Sequence, residues 1–287
     1  MPELPEVETT TRGLRKTVVG LTIKNVWTDL ATKDKRKTDS VANPKFFKIF
    51  KKEILNKKII SVERRAKNIL INLSGKKETQ QTILIHLKMT GYLFYGKDPE
   101  IKFAHVIFTL SNSYYLIFSD MRKFGKITLL DTKIAHDSKH LNNIGPEPLD
   151  KNFTLPKLKE RLNKKPTGKI KTVLMNQGII AGIGNIYSDE ILWHANVHPE
   201  RKVSTLKNSE IKLIFKAIKE TLKKGIDFGG DSMSDYKNIY GLPGKFQLHH
   251  EAYRRTGEKC RKKNCKGIII RKVINSRSAH FCDTHQK

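Results

Sequence analysis

No run of apolar residues in this 287-residue sequence approaches the roughly 18 that a membrane span needs, and the amino terminus has no apolar signal region. The expectation is a soluble, cytoplasmic protein with no membrane partner. Cysteine is scarce: Cys260, Cys265 and Cys282 are the only three, all in the last 28 residues, and an odd number at one end suits a metal site better than a disulfide framework. Acidic residues are outnumbered as well, 28 against 56 lysines and arginines, for a formal charge of +28. A surplus of that size calls for an acidic partner, nucleic acid before any other, because neutralising phosphate is what such surpluses usually serve. A basic membrane-surface protein would also need an amphipathic anchor or a lipidation signal, and neither is found. The remaining alternative is a highly solvated surface. There is no internal repeat and no low-complexity tract.

The length predicts two domains, since one core rarely grows beyond about 250–300 residues. Residues 1–20 read as a helix: Pro5 suits a first turn, Glu6 and Glu8 complement the positive end of the dipole, Val7, Leu14 and Val18 share a face, and Gly20 can end it. Over 21–131 the pattern changes to short β-rich runs at 69–73, 83–87, 106–110, 114–118 and 127–130. Turn clusters such as Ser74-Gly75-Lys76-Lys77 and Ser111-Asn112-Ser113 separate them, which favours an antiparallel sandwich or barrel. Gly145-Pro146-Glu147-Pro148 reads as the domain junction. Helical periodicity follows, clearest in Ile211, Ile214, Phe215, Ile218 and Leu222, with Gly225 as the stop. Residues 226–248 have the glycine and polar content of a mobile loop, and the tail 251–287 holds 11 Lys or Arg against 3 Asp or Glu.

Several residues carry chemistry of their own. Pro2 becomes an amino-terminal secondary amine if Met1 is removed. Such an α-amino group titrates near 7.7–8.0, so roughly a third is neutral and nucleophilic close to physiological pH. Glu3 beside it could shuttle protons, although a lone glutamate near a terminus is ordinarily a solvated surface residue. Residues 177–185 form a glycine-rich turn into a helix that Asn185 can cap, and free amides at such a junction bind phosphate. The tail reads Cys260-x4-Cys265-x16-Cys282-x2-His285 with a β-branched stretch between the pairs, the pattern of a zinc ribbon built on a β-hairpin. His280 and Asp283 are alternative ligands to His285, which lies near a terminus prone to fray.

Six blocks, in order along the whole chain, are those of one family. They are Pro2-Glu3-Leu4-Pro5-Glu6-Val7-Glu8, Arg64-Arg65-Ala66-Lys67, Ile85-His86-Leu87-Lys88-Met89-Thr90-Gly91, Asp120-Met121-Arg122-Lys123-Phe124-Gly125, Gly182-Ile183-Gly184-Asn185-Ile186-Tyr187 and the terminal cysteine cluster. The sequence resembles formamidopyrimidine-DNA glycosylases. The resemblance implies a catalytic set of Pro2 (Schiff-base nucleophile), Glu3 (general acid), Lys67 and the finger-tip Arg277. It implies DNA contacts from Met89, Arg122 and Phe124, which fill the void left by an extruded nucleotide, and from His105, Lys171 and Asn185. One structural zinc ion on Cys260, Cys265, Cys282 and His285 is implied too. Three features depart from the family pattern: Lys88 where glycine is common, Met121 where proline is usual, and His285 with a wider first knuckle where four cysteines are typical.

The fold expected is α+β in two domains: an antiparallel β-sandwich with an N-terminal helix over 1–133, a linker at 134–150, then a helix-two-turn-helix domain at 151–228, a flexible lesion loop at 229–250 and a β-hairpin zinc finger at 251–287. The function implied is base-excision repair by a monomer acting on damaged double-stranded DNA in the bacterial cytoplasm or nucleoid. It comprises glycosylase action on 8-oxoguanine and formamidopyrimidines, followed by β,δ-elimination as an apurinic-site lyase. An endonuclease VIII-like preference for oxidised pyrimidines is the nearest rival, disfavoured by Leu4, where those enzymes usually have glycine. A non-catalytic damaged-DNA-binding protein is the rival of another class, and such a protein has no need of a free proline followed by an acid.

Overall fold

The computed structural model describes residues 1–31, 38–75, 80–233 and 235–287, so Lys76 and Lys77 of the expected turn lie outside the described residues. The chain divides into two compact units, Met1–Asn142 with Gly229–Lys245, and Asn143–Phe228 with Phe246–Lys287.

The first unit opens with α1 (Leu4–Thr17), with Pro5 in its first turn and the carboxylate of Glu6 accepting the Glu3 amide at 2.7 Å. Among the described residues eight strands follow: β1 (Ile23–Thr28), β2 (Ile59–Arg65), β3 (Asn68–Leu73), β4 (Gln81–His86), β5 (Tyr92–Gly96), β6 (Ala104–Leu110), β7 (Tyr115–Ser119) and β8 (Lys126–Asp131). They form two antiparallel sheets, ordered β1-β6-β7-β5 and β2-β3-β4-β8. Ile23, Phe108, Leu110 and Leu116 of one sheet meet Ile59, Ile71 and Ile83 of the other in a shared core, the sandwich that the turn spacing predicts. Every residue of β3, which lies between β2 and β4, is buried, and Val7, Leu14 and Val18 of α1 join the same core as its Ile69, Ile71 and Leu73.

The five expected runs correspond to β3, β4, β6, β7 and β8, the second overrunning β4 by one residue and the fourth starting one residue before β7; β1, β2 and β5 are additional to them. In β1 and β2 only Ile23 with Val26, and Ile59 with Val62, are buried, so neither shows the two-residue alternation that marks a strand. A second helix, α2 (Pro44–Ile54), interrupts the strand series. Asn43 caps it by accepting the Phe46 amide at 3.1 Å, and Pro44 occupies its first turn. Its Phe50 packs against Phe46, Phe47 and Phe108, and burying a ring of that size is worth about 2–3 kcal/mol.

Residues 229–245, expected to be part of a flexible loop, are anchored to this unit at several points. The Asp231 amide donates to Glu6 Oε1 at 2.8 Å, Tyr236 Oη to the Glu6 carbonyl at 3.0 Å, and Ile239 lies in the sandwich core. Gly13 of α1 has no room for a Cβ, since Ile239 would stand 2.8 Å from it.

The second unit contains α3 (Leu155–Leu162), α4 (Ile170–Met175), α5 (Asn185–Ala195) and α6 (Asn208–Asp227), then the hairpin of β9 (Ile270–Ile274) and β10 (Arg277–Phe281). Gly225 does not stop α6, which runs on to Asp227; the glycine is there because a Cβ would come within 2.6 Å of the Tyr187 ring on α5. The pair α4 and α5, joined by the glycine-rich turn, is the expected helix-two-turn-helix. Gln177 braces that turn, accepting from the Gly182 amide at 2.8 Å and donating to the Ile183 carbonyl at 2.7 Å. Among the described residues no helix is long and apolar enough to cross a membrane.

Candidate active site and nucleic-acid interface

In the first unit Pro2 and Glu3 are buried at the mouth of α1, Glu3 being 2% exposed, while Met1 stands out in solvent. A glutamate that precedes a helix in this way lies at the positive end of the macrodipole, which favours a carboxylate. Glu6, read from sequence as a partner of the helix dipole, also holds two segments together: one oxygen takes the Glu3 amide and the other the Asp231 amide. Lys67, also buried, sits in the tight turn between β2 and β3, where Ala66 adopts φ 52°. Arg64 ties that turn to α1, donating to Glu8 Oε2 at 2.9 Å and to the Ala66 carbonyl at 3.0 Å. Burial alone would raise the Glu8 carboxyl, but the guanidinium groups of Arg64, Arg12 and Arg15 together outweigh it and hold the group below its usual range. From sequence Glu8 reads only as a partner of the helix dipole and Arg64 has no role of its own, although both lie inside the recognised blocks.

The Ile85-to-Gly91 and Asp120-to-Gly125 blocks form two loops of the same unit. Met89 is 37% exposed and Phe124 is 54% exposed, so neither is sandwich core. The Arg122 guanidinium stacks over the Phe124 ring at 4.6 Å. Asp120, fully buried, locks the loops together: it accepts a short hydrogen bond from Thr90 Oγ1 and takes the Arg122 amide at 3.2 Å and the Gly125 amide at 2.7 Å. Gly91 and Gly125 both close onto the Phe118 ring, where a Cβ would stand 3.0 and 2.1 Å away. The apolar tips are therefore presented by a rigid base. Asp120 and Thr90 carry this role without any sequence signal beyond membership of the blocks.

Lys88 occupies φ 56°, the left-handed region in which glycine is at ease. This accounts for the glycine common at that position. Lys88→Gly should therefore raise stability by about 0.5–1 kcal/mol, the relief of strain exceeding the added chain entropy, and appear as an upward shift of the thermal midpoint.

His86 lies next to this loop, its Nδ1 accepting the Lys88 amide at 3.0 Å. Burial, reinforced by the charges of Lys88 and Lys67, pushes the imidazole down to about 3. The folded chain thus binds fewer protons at this site than the unfolded one below the ordinary histidine value near 6.5. The stability this contributes is fully present above about pH 6.5 and is lost as pH falls toward 3, with a slope of up to about 1.4 kcal/mol per pH unit. Urea unfolding between pH 7 and 5, above the carboxylate range, should show the decline, and His86→Gln should flatten it.

His105 at the start of β6 is 5% exposed, with Nδ1 at 2.8 Å from Asp29 Oδ1; Asp29 also approaches Lys123 Nζ at 3.6 Å. This carboxylate partner was missed from sequence because 76 residues separate the two.

In the second unit Asn185 is the first residue of α5, but Gly184 is its N-cap and the asparagine side chain does not cap the helix. Its Nδ2 instead donates to Ser278 Oγ on β10 at 3.3 Å, and an amide nitrogen has a second hydrogen for a phosphate oxygen. Lys171, expected to bind DNA, differs from an exposed phosphate contact: it is fully buried, its ammonium in a short ion pair with Asp189 and 3.3 Å from Ser188 Oγ. Arg277, by contrast, is exposed at the start of β10, beside a turn in which Asn275 and Ser276 adopt φ 46° and 64°.

The ligand atoms of Cys260, Cys265, Cys282 and His285 all lie within 4.8 Å of one another. Cys260 Sγ is 3.3 Å from His285 Nδ1 and Cys265 Sγ is 3.6 Å from Cys282 Sγ, close to the edges of about 3.4–3.8 Å of a tetrahedron around a metal with bonds of 2.0–2.3 Å. His285 Nε2 lies 3.3 Å from the Trp193 carbonyl, the outer partner that leaves Nδ1 as the ligand atom. Burial raises the Cys282 thiol, but hydrogen bonds from the His285 and Thr284 amides and from Cys265 and Cys260 together bring it below its usual range, while burial and the neighbouring Cys282 push the Cys260 thiol up. His280, an alternative ligand from sequence, is instead bound to Asp189, and Asp283 is outside the cluster. Nor does the terminus fray around His285: Gln286 takes the Cys282 amide at 2.9 Å and reaches the Val197 carbonyl at 3.0 Å, and the His198 amide donates to Lys287.

Comparison with known proteins agrees with both units. Residues 1–127 match the formamidopyrimidine-DNA glycosylase N-terminal domain and residues 144–237 the formamidopyrimidine-DNA glycosylase H2TH domain. The chain is 40% identical to the formamidopyrimidine-DNA glycosylase of Pelotomaculum thermopropionicum, covering 100% of this chain and 99% of that protein, and 38% identical to that of Bacillus subtilis over 98% of each. Among solved structures it superposes with a TM-score of 0.86, at 34% identity and full coverage of both chains, on a Lactococcus lactis Fpg mutant in complex with Fapy-dG-containing DNA. The same values hold for MutM in complex with carbocyclic 8-oxo-G-containing DNA. With both of its domains matched and its whole length shared with these relatives, the chain belongs to the formamidopyrimidine-DNA glycosylase family.

Proposed function

We propose that this protein is a bifunctional base-excision enzyme, a glycosylase for oxidised purines and an apurinic-site lyase, acting as a monomer on damaged duplex DNA in the cytoplasm. The observation that carries the reading is the burial of Glu3 directly after Pro2 at the positive end of α1. An acid is held there in a fixed place next to the nitrogen that removal of Met1 would free.

The freed nitrogen attacks C1′ of the damaged nucleotide, the bond from C1′ to the base breaks and the base leaves with a proton; the C1′–O4′ bond then opens as O4′ takes a proton, and the nitrogen lone pair completes a C1′=N iminium. The resulting iminium acidifies the C2′ proton, whose loss expels the 3′ phosphate; loss of a further sugar proton expels the 5′ phosphate. Glu3 serves as the proton donor to the opening sugar, and Lys67, buried in the turn that Arg64 fastens to α1, serves the phosphate or the leaving base. Met89, Arg122 and Phe124 fill the hole left by the extruded nucleotide, with Arg122 toward the estranged base. Asn185, His105 and Arg277 hold backbone phosphates, and Arg277 takes part in the second elimination.

Zinc fits the ligand cluster, since three thiolates and an imidazole within tetrahedral reach are the donors it prefers. With all four positions taken by protein the ion would be structural, supplying folding energy to a hairpin that could not stand alone.

A panel of duplexes with single lesions tests the substrate class. Release of 8-oxoguanine and formamidopyrimidine should outpace release of thymine glycol; the reverse order would assign the protein to the oxidised-pyrimidine branch. Borohydride added during turnover should leave a permanent protein-DNA adduct, and binding without an adduct would identify a non-catalytic reader of damage.

A further inference from the structure

Asp189 is a buried acid that the reaction scheme above does not use. It lies one turn beyond Asn185 on α5 and is 1% exposed. One oxygen holds the Lys171 ammonium; the other takes the His280 amide at 2.9 Å and stands 3.1 Å from His280 Nδ1. Lys171 Nζ reaches back to the Asn185 carbonyl at 3.5 Å, and Asn185 Nδ2 reaches across to Ser278. A closed ring of contacts therefore runs from α4 through α5 to β10 and returns at Asn185. Ser278 and His280 alternate with Arg277 along β10, so the strand that carries Arg277 is gripped at two points by the helix that carries Asn185.

The energetics do not favour such an arrangement for stability alone. A buried ion pair often does no better than apolar side chains of the same volume, because desolvation offsets its attraction. What a carboxylate provides and a leucine does not is directional acceptance of a main-chain N–H, which sets the strand's position to a few tenths of an ångström. A two-stranded hairpin has little rigidity of its own, so the bearing of Arg277 depends on what clamps β10.

We propose that Asp189 is a positioning residue, which registers the Arg277 strand against the Asn185 helix so that the two side chains grip the lesion-strand phosphates as one unit. The inference rests on the roles given above to Asn185 and Arg277. Lys171 then acts chiefly by holding the Asp189 carboxylate in place.

The discriminating readout is the ratio of δ- to β-elimination products from an abasic duplex, which global destabilisation would not shift. Removing Asp189 alone leaves an uncompensated buried ammonium, so the comparison is made between two neutral double variants, Lys171→Met/Asp189→Asn and Lys171→Met/Asp189→Ala. They share whatever loss of the lysine brings, but only the asparagine can still accept the His280 amide. The alanine pair should show a δ-to-β ratio lower by about tenfold and a higher KM, at an equal rate of β-elimination under saturating enzyme. The single variants Asp189→Asn and Asp189→Ala repeat the comparison with the lysine kept, and the thermal midpoint and metal content of each protein confirm that it is folded. Equal ratios and equal KM within the pairs would overturn the proposal. Arg277→Ala separates this failure from that of the underlying reading: if it leaves the ratio unchanged, Arg277 has no part in the second elimination, whatever Asp189 does.

Discussion

A chain that keeps Met1, or carries any blocked residue ahead of Pro2, is expected to leave 8-oxoguanine-containing duplex uncut, with base release and strand scission both reduced by at least about 10³-fold. The reason is chemical and not conformational. With Met1 in place the Pro2 nitrogen is a tertiary amide, its lone pair delocalised into the carbonyl, and it can form no iminium. The fold should tolerate the extension, because Met1 already stands in solvent at the start of α1 while Pro2 and Glu3 are sealed beneath it. Binding to the lesion duplex should persist, and borohydride should trap no adduct. Full cleavage by a protein whose intact mass includes Met1 would refute the proline mechanism. Glu3→Gln makes a companion test: the nucleophile is kept, so loss of the acid should slow base release by on the order of 10²–10⁴-fold while leaving affinity for the product duplex nearly unchanged.

Withdrawal of the metal is the second change with a large expected effect. A strong chelator should lower affinity for the lesion duplex by on the order of 10²-fold, because a structural zinc site contributes folding free energy outright and the ribbon it organises carries 11 of the 56 lysines and arginines. Within 251–287 there are 11 Lys or Arg, Arg277 among them. The change can be followed without any activity measurement. Trp193 packs edge-on to His285 with ring centroids 5.5 Å apart and has Lys262 4.8 Å from its ring, so its fluorescence should respond as the metal leaves. Trp27, the other tryptophan, is on β1 of the first unit and should not respond. His285→Ala should weaken metal retention, and His285→Cys should preserve it. Unchanged DNA affinity in protein shown by native mass to be metal-free would remove the structural role of the ion.

The expected departures from the family also gain a physical reading. Lys88 takes up a left-handed backbone that a glycine would adopt without strain. Met121 replaces the usual proline in a loop whose shape does not depend on a stiff residue there, because Asp120 pins the loop through the Thr90 hydroxyl and the Arg122 and Gly125 amides. The imidazole of His285 completes the ligand cluster, and Trp193 supplies its outer partner.

Sequence alone determined the partner class, the two-unit division with its change from strands to helices, and nearly every residue to which a role is given. Those conclusions rest on properties that travel with the chain: net charge, periodicity, cysteine spacing and the order of six short blocks. It did not reach β1, β2, β5 or α2: the buried apolar residues of β1 and β2 are too sparse to show a period, whereas α2 carries a legible helical stripe in Phe46, Phe47, Phe50 and Ile54 behind an Asn43-Pro44 start. Nor could it assign Asp29 to His105, Glu8 to Arg64, or Asp189 to Lys171 and His280. In each of these pairs the partners lie from 18 to 91 residues apart, and a charged side chain reads as solvated surface until folding removes the water around it. The same holds for Lys171 and for Gly225: one proved to be a buried counter-ion and the other a point of close helix contact, because burial and distance exist only once the chain is packed.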